Sequence, residues 1–276
     1  MAALKIVLLT DFSPLSKVAL QYALKMSGKL EAEYTVLNVV RLDGVPKSNM
    51  KLRQIEKTLV SIAEEEGKHL LKELHGYARH DLKIEFKALR GHTVAEAVKR
   101  YAEKNKPSLV VMGSKGASSL KKARLGGTTV SVIDVCPAPV LAIPELAHFK
   151  DFSRVIYASD LKNVQKELDT IVPFARIFGS HLHMIHVTEA IDKKMDHKKE
   201  EVEALIRKAN YDKLDFRLII DDNIPEAIDA FIQHTKADLL TTFTHELNLF
   251  EKLFARSVTR HLAYQGSIPL LAFKRW

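Results

Sequence analysis

The 276-residue chain carries 42 lysines and arginines against 34 aspartates and glutamates, a formal charge of +8, and 46% of its residues are hydrophobic. That apolar content supplies packed cores and excludes a chain too polar to fold, while no apolar run reaches the ~18 residues of a membrane span. The start MAALKIVLLTDF meets Asp11 too soon for a secretion signal with its cleavage site, so a cytoplasmic location is expected. The basic residues are scattered along helical stretches and interleaved with glutamates, as in KLRQIEKTLVSIAEEEGKHLLKEL, which reads as a solvated helix face and not a nucleic-acid surface.

Lys5–Thr10 is a short apolar run predicted as a strand, and Ser13-Pro14 supplies an N-cap and first-turn proline for a helix ending near Gly28. A strand follows at Tyr34–Val40, then a long amphipathic helix over Leu52–Leu74 and a strand at Lys83–Leu89. Thr93 with Glu96 forms a capping box that opens a helix to Glu103, and Ser108–Met112 is the fourth strand. After the loop Gly113–Gly116 and a lysine-rich connection, a helix runs from Thr128 through Val135 and Pro139–Ile143 forms a last short strand.

The series then begins again. KIVLLTDFSPLSKVALQYALKMSGKLEAEYTVLNVV is echoed by RVIYASDLKNVQKELDTIVPFARIFGSHLHMIHVT, and CPAPVLAIP by GSIPLLAFK. The second copy has predicted strands at Arg154–Ala158, His181–Val187, Asp215–Ile220, Asp238–Thr242 and Pro269–Phe273, a capping pair Asn223 and Glu226, and a shorter second helix. The joint falls near Glu145–Asp151, giving domains at 1–147 and 151–276. Strands alternating with helices predict two tandem flavodoxin- or Rossmann-like α/β domains, each a five-stranded parallel sheet with helices on both faces and right-handed crossovers.

In such sheets ligands bind outside the carboxyl ends of the strands, where strand order reverses. If the first and fourth strands meet there, Asp11 and the Gly113–Gly116 loop face one crevice. Glycines 113, 116, 126 and 127 let backbone N–H groups approach a phosphate, and the following helix N-terminus adds its dipole; turns and a helix cap explain the same glycines without a ligand. Lys115, Lys121, Lys122 and Arg124 favour an anion nearby, although an exposed charge run needs none. The single cysteine, Cys136, sits in an apolar context and reads as an inert buried thiol. His181 and His183 share one face of a strand, half of a metal site by period, but no acidic or cysteine partner completes a recognisable spacing, so ordinary packing is expected and no metal residue is assigned. Met184 and Ile185 are core candidates, as is the apolar stripe of a helix expected at Leu247–Tyr264.

TDFSPLSKVAL at the first strand end, GSKGASSLKKARLGG after the fourth strand and CPAPVLAIP at the end together resemble the universal stress protein family, over essentially the whole chain in two copies. The resemblance implies adenine nucleotide alpha hydrolase-like domains, and its loop pattern G-x-x-G-x9-G followed by Ser or Thr implies an ATP site, with Mg as the accompanying ion. By position, Asp11 corresponds to the acidic residue near the ribose, Val39 to the residue whose backbone meets adenine, and Gly113, Gly116 and Gly126 to the phosphate loop, with Thr10 shaping the same wall. The chain departs from the family at Gly127, where Ser or Thr is usual; Gly127 still offers a backbone N–H, and Thr128 can substitute by a one-residue shift. In the second copy the loop glycines correspond to Phe243, Glu246 and Arg256, with Ser257 following, so no ATP site is expected there although Asp160 is retained.

The resemblance implies a nucleotide-binding regulatory module of the stress response whose partner is an adenine nucleotide. A slow ATPase or nucleotide-transferring enzyme is the alternative; against it, the sequence has no Walker lysine motif and no nucleophile with its base. A ligand-free scaffold is the third reading. The apolar final strands Val140–Ile143 and Leu270–Phe273 are edges needing cover. In the family such strands pair across a dimer two-fold, which implies an intramolecular pseudo-dimer and further homodimer association.

Overall fold

The computed structural model describes residues 3–41, 50–77, 82–114, 125–190, 193–244 and 268–275. The chain divides between Phe149 and Lys150 into two compact units.

The first unit runs β1 (Leu4–Thr10), α1 (Pro14–Met26), β2 (Ala32–Arg41), α2 (Met50–His75), β3 (Ile84–Gly91), α3 (Val94–Asn105), β4 (Leu109–Gly113), α4 (Gly127–Val135) and β5 (Val140–Ile143). Its strands lie side by side in the order β3-β2-β1-β4-β5, all parallel. Central β1 is buried continuously from Ile6 to Thr10, as expected of a strand covered by helices on both faces, whereas edge strand β3 is mostly half-buried or exposed. The Ser13 side chain caps α1 by accepting from Ser16 N–H, with Pro14 at the first helical position, where its missing N–H has no partner to lose. Thr93 likewise accepts from Glu96 N–H at the start of α3, and Lys106 closes that helix in the left-handed region at φ 47°. Cys136 is fully buried behind α4.

The second unit repeats the plan with β6 (Arg154–Ala158), α5 (Val164–Phe178), β7 (His181–Thr188), α6 (Lys193–Lys208), β8 (Leu214–Ile220), α7 (Ile224–Thr235), β9 (Leu239–Thr244) and β10 (Leu270–Lys274). Its order, β8-β7-β6-β9-β10, is the same parallel arrangement. The second helix is indeed the shorter, 16 residues in α6 against 26 in α2. Gly179, at φ 65°, ends α5 in the left-handed conformation that glycine adopts without a Cβ clash. Phe152, Phe174 and Phe178 form an aromatic cluster beneath α5, with ring centroids 5.0–5.8 Å apart. The helix expected at Leu247–Tyr264 lies outside the described residues. Among the described residues no helix is long and apolar enough to cross a membrane.

Candidate functional site

In the first unit β1 has β2 on one side and β4 on the other, so the chain winds outward in opposite directions from the β1/β4 pair. Their carboxyl ends form the switch point at which an open α/β sheet leaves a crevice. A pocket of about 260 Å³ occupies it, and Thr10, Asp11, Val39, Gly113 and Thr128 are among the residues lining it.

Local chemistry fixes each wall. Phe12 takes a positive φ of 62°, uncommon for a residue with a Cβ, and its N–H donates to Thr10 Oγ1 at 2.9 Å. Ser16 Oγ donates to Ser13 O at 2.9 Å, which leaves its lone pair for the Thr10 hydroxyl, also at 2.9 Å. The Thr10 hydroxyl thus has both a donor and an acceptor within the protein and serves as wall. Asp11 Oδ1 accepts from Ser13 N–H at 3.1 Å and from the Ser13 hydroxyl, holding an exposed carboxylate at the mouth.

On the β2 side, buried Asn38 donates from Nδ2 to Thr10 O at 2.9 Å and ties the strand ends together. The β1–β2 ladder stops at Thr10↔Asn38, while β2 continues beside β3 to Arg41↔Gly91. Leu4 N–H donates to Glu31 O, so by alternation the odd-numbered residues of β2 turn their peptide groups toward β1. The Val39 carbonyl therefore looks past the end of β1 into the crevice. Arg41, also on the lining, was not singled out from the sequence.

Opposite, Gly113 ends β4 and its carbonyl accepts from Thr129 Oγ1 at 3.0 Å. Gly126 is the N-cap of α4 and has no side chain to cap the helix; its own N–H donates to Ser114 O at 2.7 Å. The first α-helical bond is Val130 N–H to Gly126 O, so the amides of Gly127 and Thr128 belong to the orphan donors of the first turn. A helix start of this kind favours an anion. Thr128 and Thr129 both line the pocket; Thr128 is exposed, whereas Thr129 is buried and bonded to Gly113 O. Gly126 and Gly127 adjoin the pocket through α4 without being among its lining residues, and Gly116 lies outside the described residues.

The second unit builds the same strand-end turn and then fills it. Leu161 has φ 60° and donates to Ser159 Oγ, Lys162 N–H donates to Asp160 Oδ1 at 3.1 Å, and His186 Nδ1 takes the place of the Asn38 amide on the Ser159 carbonyl at 2.8 Å. Arg275, just beyond β10, grips Asp160 through both terminal guanidinium nitrogens and reaches Glu167 through Nε at 2.5 Å. Tyr157 donates its hydroxyl to Glu167 on the other side. The Arg275 and Glu167 side chains are only 6% and 3% exposed. Burial by itself raises the Asp160 carboxyl, but the Arg275 hydrogen bonds, the Lys162 N–H and the Arg275 and Lys162 charges together outweigh it and bring Asp160 below the usual carboxylate value. Phe243 faces Phe273 in register as Gly113 faces Ile143; its ring is buried, stacked on Phe273 at 4.9 Å and edge-on to Tyr157 at 5.6 Å. Glu246, Arg256 and Ser257 lie outside the described residues.

The sequence model of the universal stress protein family matches residues 3–144. A universal stress protein of Methanocaldococcus jannaschii is 31% identical over 140 residues, covering 50% of this chain and 81% of its own. Across the full length, the crystal structure of a universal stress protein from Archaeoglobus fulgidus superposes with a TM-score of 0.73 at 22% identity, covering 100% of both chains, a likeness of fold. The repeated α/β plan, the strand-end crevice and these matches agree: the chain belongs to the universal stress protein family.

Proposed function

We propose that the first unit binds ATP in the β1/β4 crevice and works as the nucleotide-responsive part of a stress-response regulator, the second unit having no nucleotide site of this type. The observation that carries the reading is the convergence at one pocket of the Asp11 carboxylate, the Val39 backbone, Gly113 and Thr128 in the first turn of α4, whose N-cap Gly126 has no side chain to cap it. A carboxylate accepts ribose hydroxyls, a strand-end carbonyl accepts from the adenine amino group, and orphan helix amides hold phosphate oxygens. Mg is the natural companion of those phosphates. In this reading the protein works in the cytoplasm, and nucleotide occupancy shifts it toward the conformation that binds better.

Calorimetric titration of the full chain with ATP tests this. Wild type binds, and Asp11→Ala lowers affinity by about tenfold or more through loss of charge-assisted bonds to the ribose. Asp11 is exposed, so the variant folds, and an unchanged melting curve distinguishes lost binding from lost structure. Equal affinity in the variant overturns the assignment of Asp11. The enzyme alternative is separated by timed product analysis: ATP recovered intact after minutes at saturating protein supports a sensor, whereas turnover faster than that supports an ATPase.

A further inference from the structure

The histidine pair on β7 does more than pack. His181 and His183 point to one face by the two-residue period, and Asp215 of β8 lies directly across the ladder from His183. Asp215 Oδ2 is 2.9 Å from His181 Nε2 and 2.9 Å from His183 Nδ1, and the imidazole rings stack with centroids 4.4 Å apart. The acidic partner that spacing along the chain did not reveal is brought in by strand register. The three donor atoms all lie within 4.8 Å of one another. The cluster sits at the amino-terminal ends of β7 and β8, away from the strand-end turn that Arg275 fills.

We infer that His181, His183 and Asp215 form a divalent transition-metal site, of Zn²⁺ type, on the second unit. Two imidazole nitrogens and one carboxylate oxygen are the donor set that zinc accepts in open sites, and imidazole selects against Mg²⁺ and Ca²⁺, which prefer all-oxygen shells. A tetrahedral ion with ligands at ~2.0–2.1 Å separates its donor atoms by roughly 3.3 Å, so the present 2.9 Å contacts need widen by only a few tenths of an ångström. In the metal-free arrangement Asp215 Oδ2 gathers both rings, as the ion does when bound; each imidazole then carries its remaining proton on the other nitrogen.

The supporting shell is in place. Phe231 of α7 packs edge-on against His183 at 5.9 Å and limits its rotation. Asp215 Oδ1 is buried and makes no hydrogen bond among the described residues, with Arg217 Nε 3.6 Å away. That oxygen has the Arg217 ion pair but no hydrogen bond, and a cation at the cluster gives the carboxylate a second counter-charge. The Arg217 charge works against the metal and sets the affinity below that of a dedicated structural zinc site. The site is open for entry: the His181 side chain is 48% exposed and Asp215 30%, which leaves room for water in the remaining coordination positions.

Zn²⁺ titration of the full, tag-free chain tests the assignment, read by calorimetry and, with Co²⁺ as a stand-in, by visible d–d absorption. Wild type binds at the cluster, and His181→Ala and Asp215→Asn each weaken the tightest Zn²⁺ event by about tenfold or more and abolish the Co²⁺ spectrum. His197→Ala, which removes an exposed histidine beside Glu201 on α6, leaves both unchanged. Because His181 is half exposed, its variant retains the fold, checked by circular dichroism. Absence of binding to wild type, equal affinity in His181→Ala and Asp215→Asn, or an equal loss in His197→Ala overturns the proposal. ATP plays no part in this experiment, so its result is independent of the nucleotide reading.

Discussion

Gly127 occupies the first helical position of α4, where an added Cβ meets no atom within 4 Å. The residue is therefore not required by packing. Thr129 holds Gly113 and Thr128 faces the pocket, so a hydroxyl is already available one position further on. Gly127→Ser adds a second hydroxyl at the orphan amides. It is expected to tighten ATP binding several-fold in calorimetry and to raise stability by about 0.4–1 kcal/mol in thermal melts, because replacing glycine at a compatible position removes freedom from the unfolded chain. Weaker ATP binding in Gly127→Ser contradicts the placing of phosphate at this helix start. Asp11 and Asp160 make the complementary point: the same carboxylate at the same turn is exposed in one unit and gripped by Arg275 in the other.

Most elements were legible in the sequence because their signals are local. The apolar run through Ile6–Leu9, the Ser13-Pro14 helix start and the Thr93 cap each specify structure within a few residues, and strand and helix ends fall close to the predicted positions. What escaped depends on residues far apart in the chain. Asn38 reaches Thr10 across 28 positions, Asp215 meets His183 across 32 and Arg275 meets Asp160 across 115, and only strand register and order bring these together. The overhang of β2 beyond β1, which frees the Val39 carbonyl, is equally invisible to periodicity. At this scale β10 matters as a clamp: through Arg275 it ties the last strand to the turn after β6 and to α5. Arg275→Met leaves the buried Glu167 without its counter-ion and Asp160 with only the exposed Lys162 at 3.7 Å, and chemical denaturation is expected to show a loss of about 3–5 kcal/mol in the second unit. The Asp160 value is depressed in the fold, so its contribution is fully present above the ordinary carboxylate pKa of about 3.9 and is lost as pH falls through the folded value. Stability measured down an acid series should accordingly fall below about pH 4 in wild type, and less steeply in Arg275→Met. An equally stable Arg275→Met variant would contradict the clamp.

For the molecule as a whole, repetition of the fold does not mean repetition of the site. Both units keep the left-handed turn after the first strand, at Phe12 and at Leu161, and both tie the end of that strand to its neighbour, through Asn38 and through His186. They diverge in what stands beyond the turn. The first unit has a pocket and a helix start at glycine; the second has a chain of bonds from Tyr157 through Glu167 to Arg275 and on to Asp160, with Phe243 in the place of Gly113. Protein groups there satisfy the Asp160 carboxylate. The stoichiometry of ATP binding to the intact chain tests this most directly. Calorimetry on wild type is expected to give one ATP per chain, lost with Asp11→Ala; two equivalents per chain, or none, would contradict it.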